Sequence, residues 1–280
     1  MDLTEAYREC ERITWSQARN FAYGIRLLPP AKRRGLAVIY AFARRIDDIG
    51  DGNLAADRKI ADLEQARQAV LNLDGDSHDD PVLLALADVT RNFPVPVDAF
   101  GELIDGCVAD VRGTHYETFE DLHYYCRCVA GSIGRLSLGI FGTSHDPDEA
   151  ARLADSLGVA LQLTNILRDI REDRQNGRIY LPAEDLAKFD VDLDAPNPSQ
   201  FTRLVEFEAE RARDWYATGW RLLPMLDRRS AACTGAMAGI YRHLLERIAA
   251  QPGAVLNSRV SLSTGEKAMV AVRALAGRIR

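Results

Sequence analysis

The sequence predicts an all-α protein that forms a single domain. Helical periodicity, in which apolar residues recur three and four positions apart, runs through most of the 280 residues. Strand signals are scarce, because the chain has no series of alternating Val, Ile and Thr runs bounded by turns. The breaks between helical segments are too short for interdomain linkers. We therefore expect one domain over residues 1–280.

Nine long helices account for this periodicity. Their expected ranges are 31–51, 54–71, 81–92, 97–111, 119–141, 147–175, 199–223, 229–250 and 263–277. Breaks rich in Pro, Gly, Asn or Asp lie at 72–81, 93–97 and 188–199. Glycines 131, 134, 139 and 142 weaken the segment around 119–141, at a cost of about 1 kcal/mol each relative to Ala. Close helix packing or space for a ligand would offset that cost.

Composition and charge exclude several classes of protein. The net charge of −6 gives no basic excess for general nucleic-acid binding. The five cysteines are odd in number and widely scattered, which argues against a disulfide framework, and no His stands at zinc-ligand spacing from them. The start of the chain lacks a signal-peptide pattern, and the longest apolar run, 36–43, is far shorter than the roughly 20 residues that cross a bilayer. We expect a cytoplasmic protein, with peripheral membrane contact at most.

The first chemically informative motif lies in the helix expected at 31–51. Tyr40, Arg44, Asp47 and Asp51 fall within about 60° of one another around the helix axis. Two carboxylates one turn apart repel each other. A bound cation would relieve this repulsion. For one such pair alone, a solvated acidic face with ion pairs to its neighbours is the more common arrangement, so this motif by itself is a weak signal.

The second motif repeats this construction in the helix expected at 147–175. Gln162, Asn165, Asp169 and Asp173 fall within about 80° of one another. Carboxylate and amide oxygens suit Mg²⁺, which keeps several waters and shares its ligation with substrate phosphates. Two such helices facing a cavity would hold more than one Mg²⁺ ion. With the arginines of this stretch, the ions would form a diphosphate site in an acidic protein.

Aromatic and small residues accompany both motifs. Single aromatic residues are most often core residues, but as a set they would line a hydrocarbon tunnel and stabilise a carbocation through their π faces. The set comprises Phe21, Tyr23, Tyr40, Tyr124, Tyr125 and the glycine-rich run 129–142.

With these motifs in view, the chain resembles the squalene and phytoene synthase family of head-to-head prenyltransferases. The matching segments are NFAYGIRLLPPAKR, YAFARRIDDIGD, YYCRCVAGSIG, LQLTNILRDIREDRQNGRIYLP and RVSLSTGEKAMVAVRAL. They cover nearly the whole length in order. The resemblance implies an isoprenoid-synthase-type helical bundle around a central cavity.

The resemblance also implies roles for individual residues. The metal ligands would be Asp47, Asp51, Asn165, Asp169 and Asp173. The substrate-binding residues would be Asn20, Phe21, Tyr40, Arg44, Gln162, Asn165, Arg168, Arg178 and Tyr241. Tyr125 would assist diphosphate departure or proton transfer. Asn20 departs from the family pattern, since many relatives have serine there, and an Asn side chain can still donate a hydrogen bond.

The implied activity is the Mg²⁺-dependent joining of two farnesyl diphosphates to presqualene diphosphate, with release of diphosphate. RLLPPAKR and the final segment resemble the bacterial presqualene diphosphate synthases of hopanoid pathways, which pass their product to a squalene-forming enzyme. Phytoene or dehydrosqualene synthase, and squalene or hydroxysqualene synthase, are the enzyme alternatives. A catalytically inactive helical assembly or lipid-binding relative is the non-enzyme alternative. The sequence has no glycine-rich loop after a strand, so we expect no Rossmann-type nucleotide site.

Overall fold

Thirteen α-helices make up most of the part of the chain that the computed structural model describes, residues 2–18, 20–73 and 79–278. They are α1 (Leu3–Gln17), α2 (Phe21–Ile25), α3 (Pro30–Asp51), α4 (Ala56–Leu71), α5 (Pro81–Asn92), α6 (Asp98–Arg112), α7 (Phe119–Cys126), α8 (Ser132–Phe141), α9 (Pro147–Gln175), α10 (Ala183–Phe189), α11 (Pro198–Gly219), α12 (Arg228–Ala250) and α13 (Thr264–Leu275). These ranges contain no strand, which confirms the all-α prediction. None of the described helices has the length and apolar character needed to span a membrane.

The structure differs from the sequence-based prediction in the segment 119–141 and in three helices that were not predicted, α1, α2 and α10. The continuous helix expected at 119–141 is interrupted by a π-helical turn, Arg127–Gly131, which separates α7 from α8. The short helix α10 was not predicted. Helix α1 was also missed, because its buried face consists of the small residues Ala6, Cys10 and Thr14 and so gives a weak apolar signal.

Two clusters of buried apolar side chains form the core. In the first, which includes residues of α1, α3, α5, α6 and α8, the rings of Phe42 and Phe100 meet edge to face with centroids 5.1 Å apart. The second includes residues of α7, α9, α11 and α12. Its largest fully buried side chain, Tyr216, places its hydroxyl 3.0 Å from Thr164 Oγ1, so this polar group is satisfied.

The π-helical turn and α8, which we call the α8 region (127–141), lie close against α9, and this close contact depends on glycine. A Cβ atom on Gly158 would lie 2.4 Å from the Ala130 carbonyl oxygen, and one on Gly134 would lie 2.5 Å from that of Ala154. Both distances are shorter than a side chain allows, so only glycine permits this approach. The prediction that glycines in this stretch serve close packing is confirmed for Gly134.

Candidate active site

A cavity of about 520 Å³ lies among helices α2, α3, α6, α8, α9 and α12. One part of its wall carries charged side chains, and the remainder is largely apolar. Eleven of the fourteen predicted site residues line it: Phe21, Tyr40, Arg44, Asp47, Asp51, Tyr125, Gln162, Asn165, Arg168, Asp169 and Asp173. The aspartates of the two motifs, 118 or more residues apart in sequence, therefore share one cavity.

The other three predicted residues do not line this cavity in the described structure, but two of them contact residues that do. Arg178 Nη1 donates to Asp51 Oδ1 over 3.1 Å and so links the end of the second motif to the first. The ring of Tyr241 stacks on that of Phe21 with centroids 5.7 Å apart. Asn20 forms the N-cap of α2, immediately before Phe21, and its side chain makes no capping hydrogen bond.

In the first motif, Asp47 occupies an unusual electrostatic environment. Solvent reaches the side chain through the cavity, yet protein surrounds it closely, and this burial together with the nearby Asp51 raises the pKa of Asp47 to about 7. Arg44 acts in the opposite direction. The Nε of Arg44 is buried without a hydrogen-bond partner in the described structure, while its terminal nitrogen pairs with the exposed Asp48.

In the second motif, two arginines hold Asp169. Arg168 Nε donates to Asp169 Oδ1 over 2.8 Å, and Arg259 Nε lies 3.1 Å from the same oxygen. One turn further along α9, burial and the neighbouring Asp169 raise the pKa of Asp173 to about 7. One turn before Asp169, the amide of Asn165 donates to Gln162 Oε1 over 3.2 Å.

Asp110 of α6 is a site residue that the sequence analysis missed. Its carboxylate lines the cavity and accepts hydrogen bonds from the Tyr125 hydroxyl, over 2.9 Å, and from the Tyr180 hydroxyl, over 2.8 Å. Burial raises the pKa of Asp110, and burial also raises the pKa of both tyrosines. A signal was present in the sequence, because Asp110 follows the buried Leu103 and Cys107 at helical spacing and so places a carboxylate on an apolar face.

Arg259 is the second missed residue. It lies in the irregular segment before α13, where no helical periodicity shows which way its side chain faces. It lines the cavity and also pairs with Glu172 over 3.4 Å. With it, the charged part of the site contains five aspartates (47, 51, 110, 169 and 173) and four arginines (44, 168, 178 and 259). A divalent cation would change the sign of this nearly balanced set and attract an anion.

Comparisons with known proteins agree with this architecture. The squalene/phytoene synthase family pattern matches residues 16–266. A phytoene synthase of Mycobacterium tuberculosis is 50% identical over 99% of this chain and 93% of its own length. A 15-cis-phytoene synthase of Synechocystis is 34% identical over 94% of this chain and 82% of its own length.

Two solved structures extend the comparison to the fold. A dehydrosqualene synthase bound to a ligand superposes with a TM-score of 0.89, at 31% identity, over 98% of this chain and 97% of its own. The squalene synthase of Alicyclobacillus acidocaldarius gives a TM-score of 0.82 at 33% identity, over 89% of this chain and 95% of its own. The isoprenoid-synthase-type bundle predicted from the resemblance is thereby confirmed, and the chain belongs to the squalene/phytoene synthase family.

Proposed function

We propose that the protein joins two prenyl diphosphates head to head and releases diphosphate. One observation carries the proposal: two helices bring paired aspartates to the charged part of a cavity whose remaining wall is largely apolar. Once cations offset the carboxylates, the charged part suits a diphosphate, and the apolar part suits a long hydrocarbon chain.

The donor groups of the two motifs fit Mg²⁺. Asn165 Oδ1 is buried without a hydrogen-bond partner in the described structure, so an acceptor oxygen remains free beside the aspartates. With it, Asp47, Asp51, Asp169 and Asp173 would hold more than one ion. Residues 2–18, 20–73 and 79–278 contain no cluster of three or more Asp, Glu, His or Cys that would hold an ion by itself, which suits an ion that completes its shell with water and diphosphate oxygens. Bound there, Mg²⁺ supplies positive charge that stabilises the departing diphosphate.

The arginines and Tyr125 provide the remaining polar functions. Guanidinium groups bind phosphate oxygens in a bidentate manner, so Arg44, Arg168 and Arg178 would exchange their present carboxylate partners for the diphosphate. Burial raises the pKa of Tyr125, so its hydroxyl stays protonated at neutral pH and would assist diphosphate departure as a hydrogen-bond donor.

The apolar wall would protect the reacting carbons. When the C–O bond of the first substrate breaks, the electron pair leaves with the diphosphate and an allylic cation remains. The C2–C3 double bond of the second substrate attacks this cation, and loss of a proton closes a cyclopropane ring. Water would trap the cation, so its exclusion by residues such as Leu138 and Phe141 is essential. The rings of Phe21 and Tyr40 would stabilise the cation through their π faces.

The length of the donor separates a phytoene synthase from the members of the family that use farnesyl diphosphate. Identity of 50% to a phytoene synthase over 99% of the chain favours a C20 donor and phytoene as the product. The segments that resemble presqualene diphosphate synthases favour farnesyl diphosphate, a C15 donor, with presqualene diphosphate passed to a downstream squalene-forming enzyme. The first stage of the chemistry is the same for both.

Product analysis distinguishes these possibilities. The purified protein is incubated with Mg²⁺ and either farnesyl diphosphate or its C20 homologue, with and without NADPH, and the lipid products are identified by mass spectrometry. Phytoene from the C20 donor supports the first assignment, and presqualene diphosphate from farnesyl diphosphate supports the second. Release of diphosphate from neither donor would overturn the proposal and favour a catalytically inactive relative.

A further inference from the structure

Helix α13 presents an apolar surface to solvent in addition to the apolar face that it buries. Ala271 and Ala274 pack with Ala236 of α12. On the outer side, Met269 and Val272 are 55% and 64% exposed, and their spacing of three places them on one face. Large aliphatic side chains exposed side by side indicate a surface that contacts another apolar phase.

Arginines surround this apolar surface. Helices α12 and α13 run antiparallel, since Arg247 near the end of α12 pairs with Glu266 at the start of α13, and a Cβ on Gly235 near the start of α12 would lie 3.7 Å from Ala274 Cβ. The first turn of α12, which contains the exposed Arg229, therefore lies beside the end of α13, which contains the exposed Arg273.

A further basic group, Arg26, directly follows α2. Arg229 Nη1 lies 3.5 Å from the Leu27 carbonyl oxygen, and Leu27 packs against the buried side of α13. The adjacent residue, Arg26, is exposed, and its guanidinium lies over the half-exposed ring of Trp15, 5.5 Å from the centroid. Trp15 thus adds an aromatic edge to the same region.

Within the described residues, no carboxylate neutralises the charge of these arginines. Arg278 belongs to the same region, because its backbone N–H donates to the Arg273 carbonyl oxygen over 2.9 Å. Many arginines of the chain form ion pairs, but in the described structure Arg26, Arg229, Arg273 and Arg278 have no carboxylate within ion-pair distance. In a chain with a net charge of −6, this region is a local positive patch. Exposed aliphatic side chains bordered by arginines are typical of protein surfaces that bind anionic lipids.

We propose that this surface, which we call the α13 face (Arg26, Arg229, Met269, Val272, Arg273 and Arg278), docks the protein on an anionic lipid bilayer. Met269 and Val272 would insert among the acyl chains near the headgroups, while the arginines contact lipid phosphates. The proposal does not depend on the length of the prenyl donor.

Docking through the α13 face would bring the bilayer near the helices that line the cavity. Met237 and Ala238 of α12 line the cavity, and the same helix packs against α13. Phe21 and Ile25 of α2 also line the cavity, while α2 contacts α13. Two helix layers, α13 and then α12 or α2, would therefore separate the bilayer from the cavity, which places the membrane beside the wall that would hold the apolar chain.

Vesicle binding tests the proposal without reference to catalysis. Co-sedimentation of the full chain is measured with vesicles of phosphatidylcholine alone and of phosphatidylcholine mixed with phosphatidylglycerol. Wild type should bind the anionic vesicles more tightly, and salt should weaken the binding. The double variants Met269→Asp/Val272→Asp and Arg229→Glu/Arg273→Glu should each lower the partition coefficient by about tenfold or more.

Matched variants elsewhere serve as controls. Leu71→Asp alters an aliphatic residue of α4 that is 64% exposed, and Arg91→Glu/Arg203→Glu reverses two exposed arginines on α5 and α11. These variants should bind like wild type, and thermal melting should show that all variants fold. Equal vesicle binding by wild type and both α13-face variants would overturn the proposal. So would failure of wild type to bind anionic vesicles, or self-association in ultracentrifugation that only the α13-face variants abolish, which would identify a second copy as the occupant.

Discussion

Two consecutive aspartates, Asp47 and Asp48, occupy opposite environments on α3. Asp47 faces the cavity, where burial and Asp51 raise its pKa to about 7. Asp48 lies on the outer side, about half exposed, and pairs with Arg44. The helical rotation of about 100° per residue separates the two carboxylates, so the pair offers a controlled comparison within one residue type.

We therefore predict that Asp47→Asn lowers kcat for diphosphate release by about a hundredfold or more, because it removes a ligand charge at the centre of the charged part of the cavity. The isosteric Asp48→Asn should retain activity within a few-fold of wild type. Steady-state assays with each prenyl diphosphate and Mg²⁺ measure both values. Near-wild-type activity of Asp47→Asn would contradict the assignment of this motif as a metal site.

Asp110 offers a second test at the level of single residues, because it accepts hydrogen bonds from both Tyr125 and Tyr180. An amide at this position accepts through one atom only, so Asp110→Asn should release one tyrosine and lower kcat by about tenfold. If Asp110 acts by orienting Tyr125, the same change should cost little in a Tyr125→Phe background, with a coupling energy of about 0.5–3 kcal/mol. Additive effects on kcat would mean that the two residues act independently.

These residues also show what could be read from the sequence. The aspartates of both motifs could be predicted because helical spacing alone aligns them on one stripe. Asp110 needed a further inference, namely that a carboxylate on an apolar face must have partners, and those partners come from two other segments. Arg259 could not be assigned a position, since it lies in irregular chain whose direction is fixed only by tertiary contacts.

At the level of elements, the long helices were predictable and the deviations from them were not. Helices α3, α9 and α12 have strong apolar stripes or clear caps, and their ends lie within a few residues of the predicted ones. The π-helical turn Arg127–Gly131 has no local signature, because its backbone geometry follows from packing. Burial of Gly106 against Val129 is one such contact: a Cβ on Gly106 would lie 2.3 Å from Val129 Cγ1.

The glycine contact between the α8 region and α9 yields a prediction with a definite sign. Within an isolated helix, replacing Gly by Ala stabilises by about 1 kcal/mol. At Gly158 the added methyl group would collide with the Ala130 carbonyl, so Gly158→Ala should instead destabilise by about 1–3 kcal/mol. Gly265, in the first turn of α13 with no atom near its Cβ position, is the matched control, and Gly265→Ala should be neutral or stabilising. Urea unfolding measures both changes, and stabilisation by Gly158→Ala would show that the two segments separate readily.

At the scale of the whole molecule, the fold concentrates carboxylates where they repel one another. Asp47 and Asp173 both have pKa values raised to about 7 by burial and by neighbouring aspartates. Asp110 of α6 lies near both motifs and adds to the repulsion within each, so these carboxylates together oppose closure of the bundle around the cavity. Such a cluster lowers the stability of the free protein, and the cost is offset only when Mg²⁺ and diphosphate bind among the aspartates.

We therefore predict that Mg²⁺ and inorganic diphosphate together stabilise the protein far more than either alone. A ligand at about 100 times its dissociation constant adds about 2.7 kcal/mol, which for a chain of this size raises Tm by roughly 5–10 °C. Asp47→Asn/Asp173→Asn should melt higher than wild type without ligands, because the cost of burying the two charges and their repulsion by neighbouring aspartates are both removed, and should lose most of the ligand-induced shift. Asp48→Asn should respond like wild type.

Differential scanning calorimetry measures these shifts. A full shift with diphosphate alone would mean that the arginines bind the anion without metal, whereas a lower ligand-free Tm in the double variant would mean that these aspartates contribute to stability rather than oppose it.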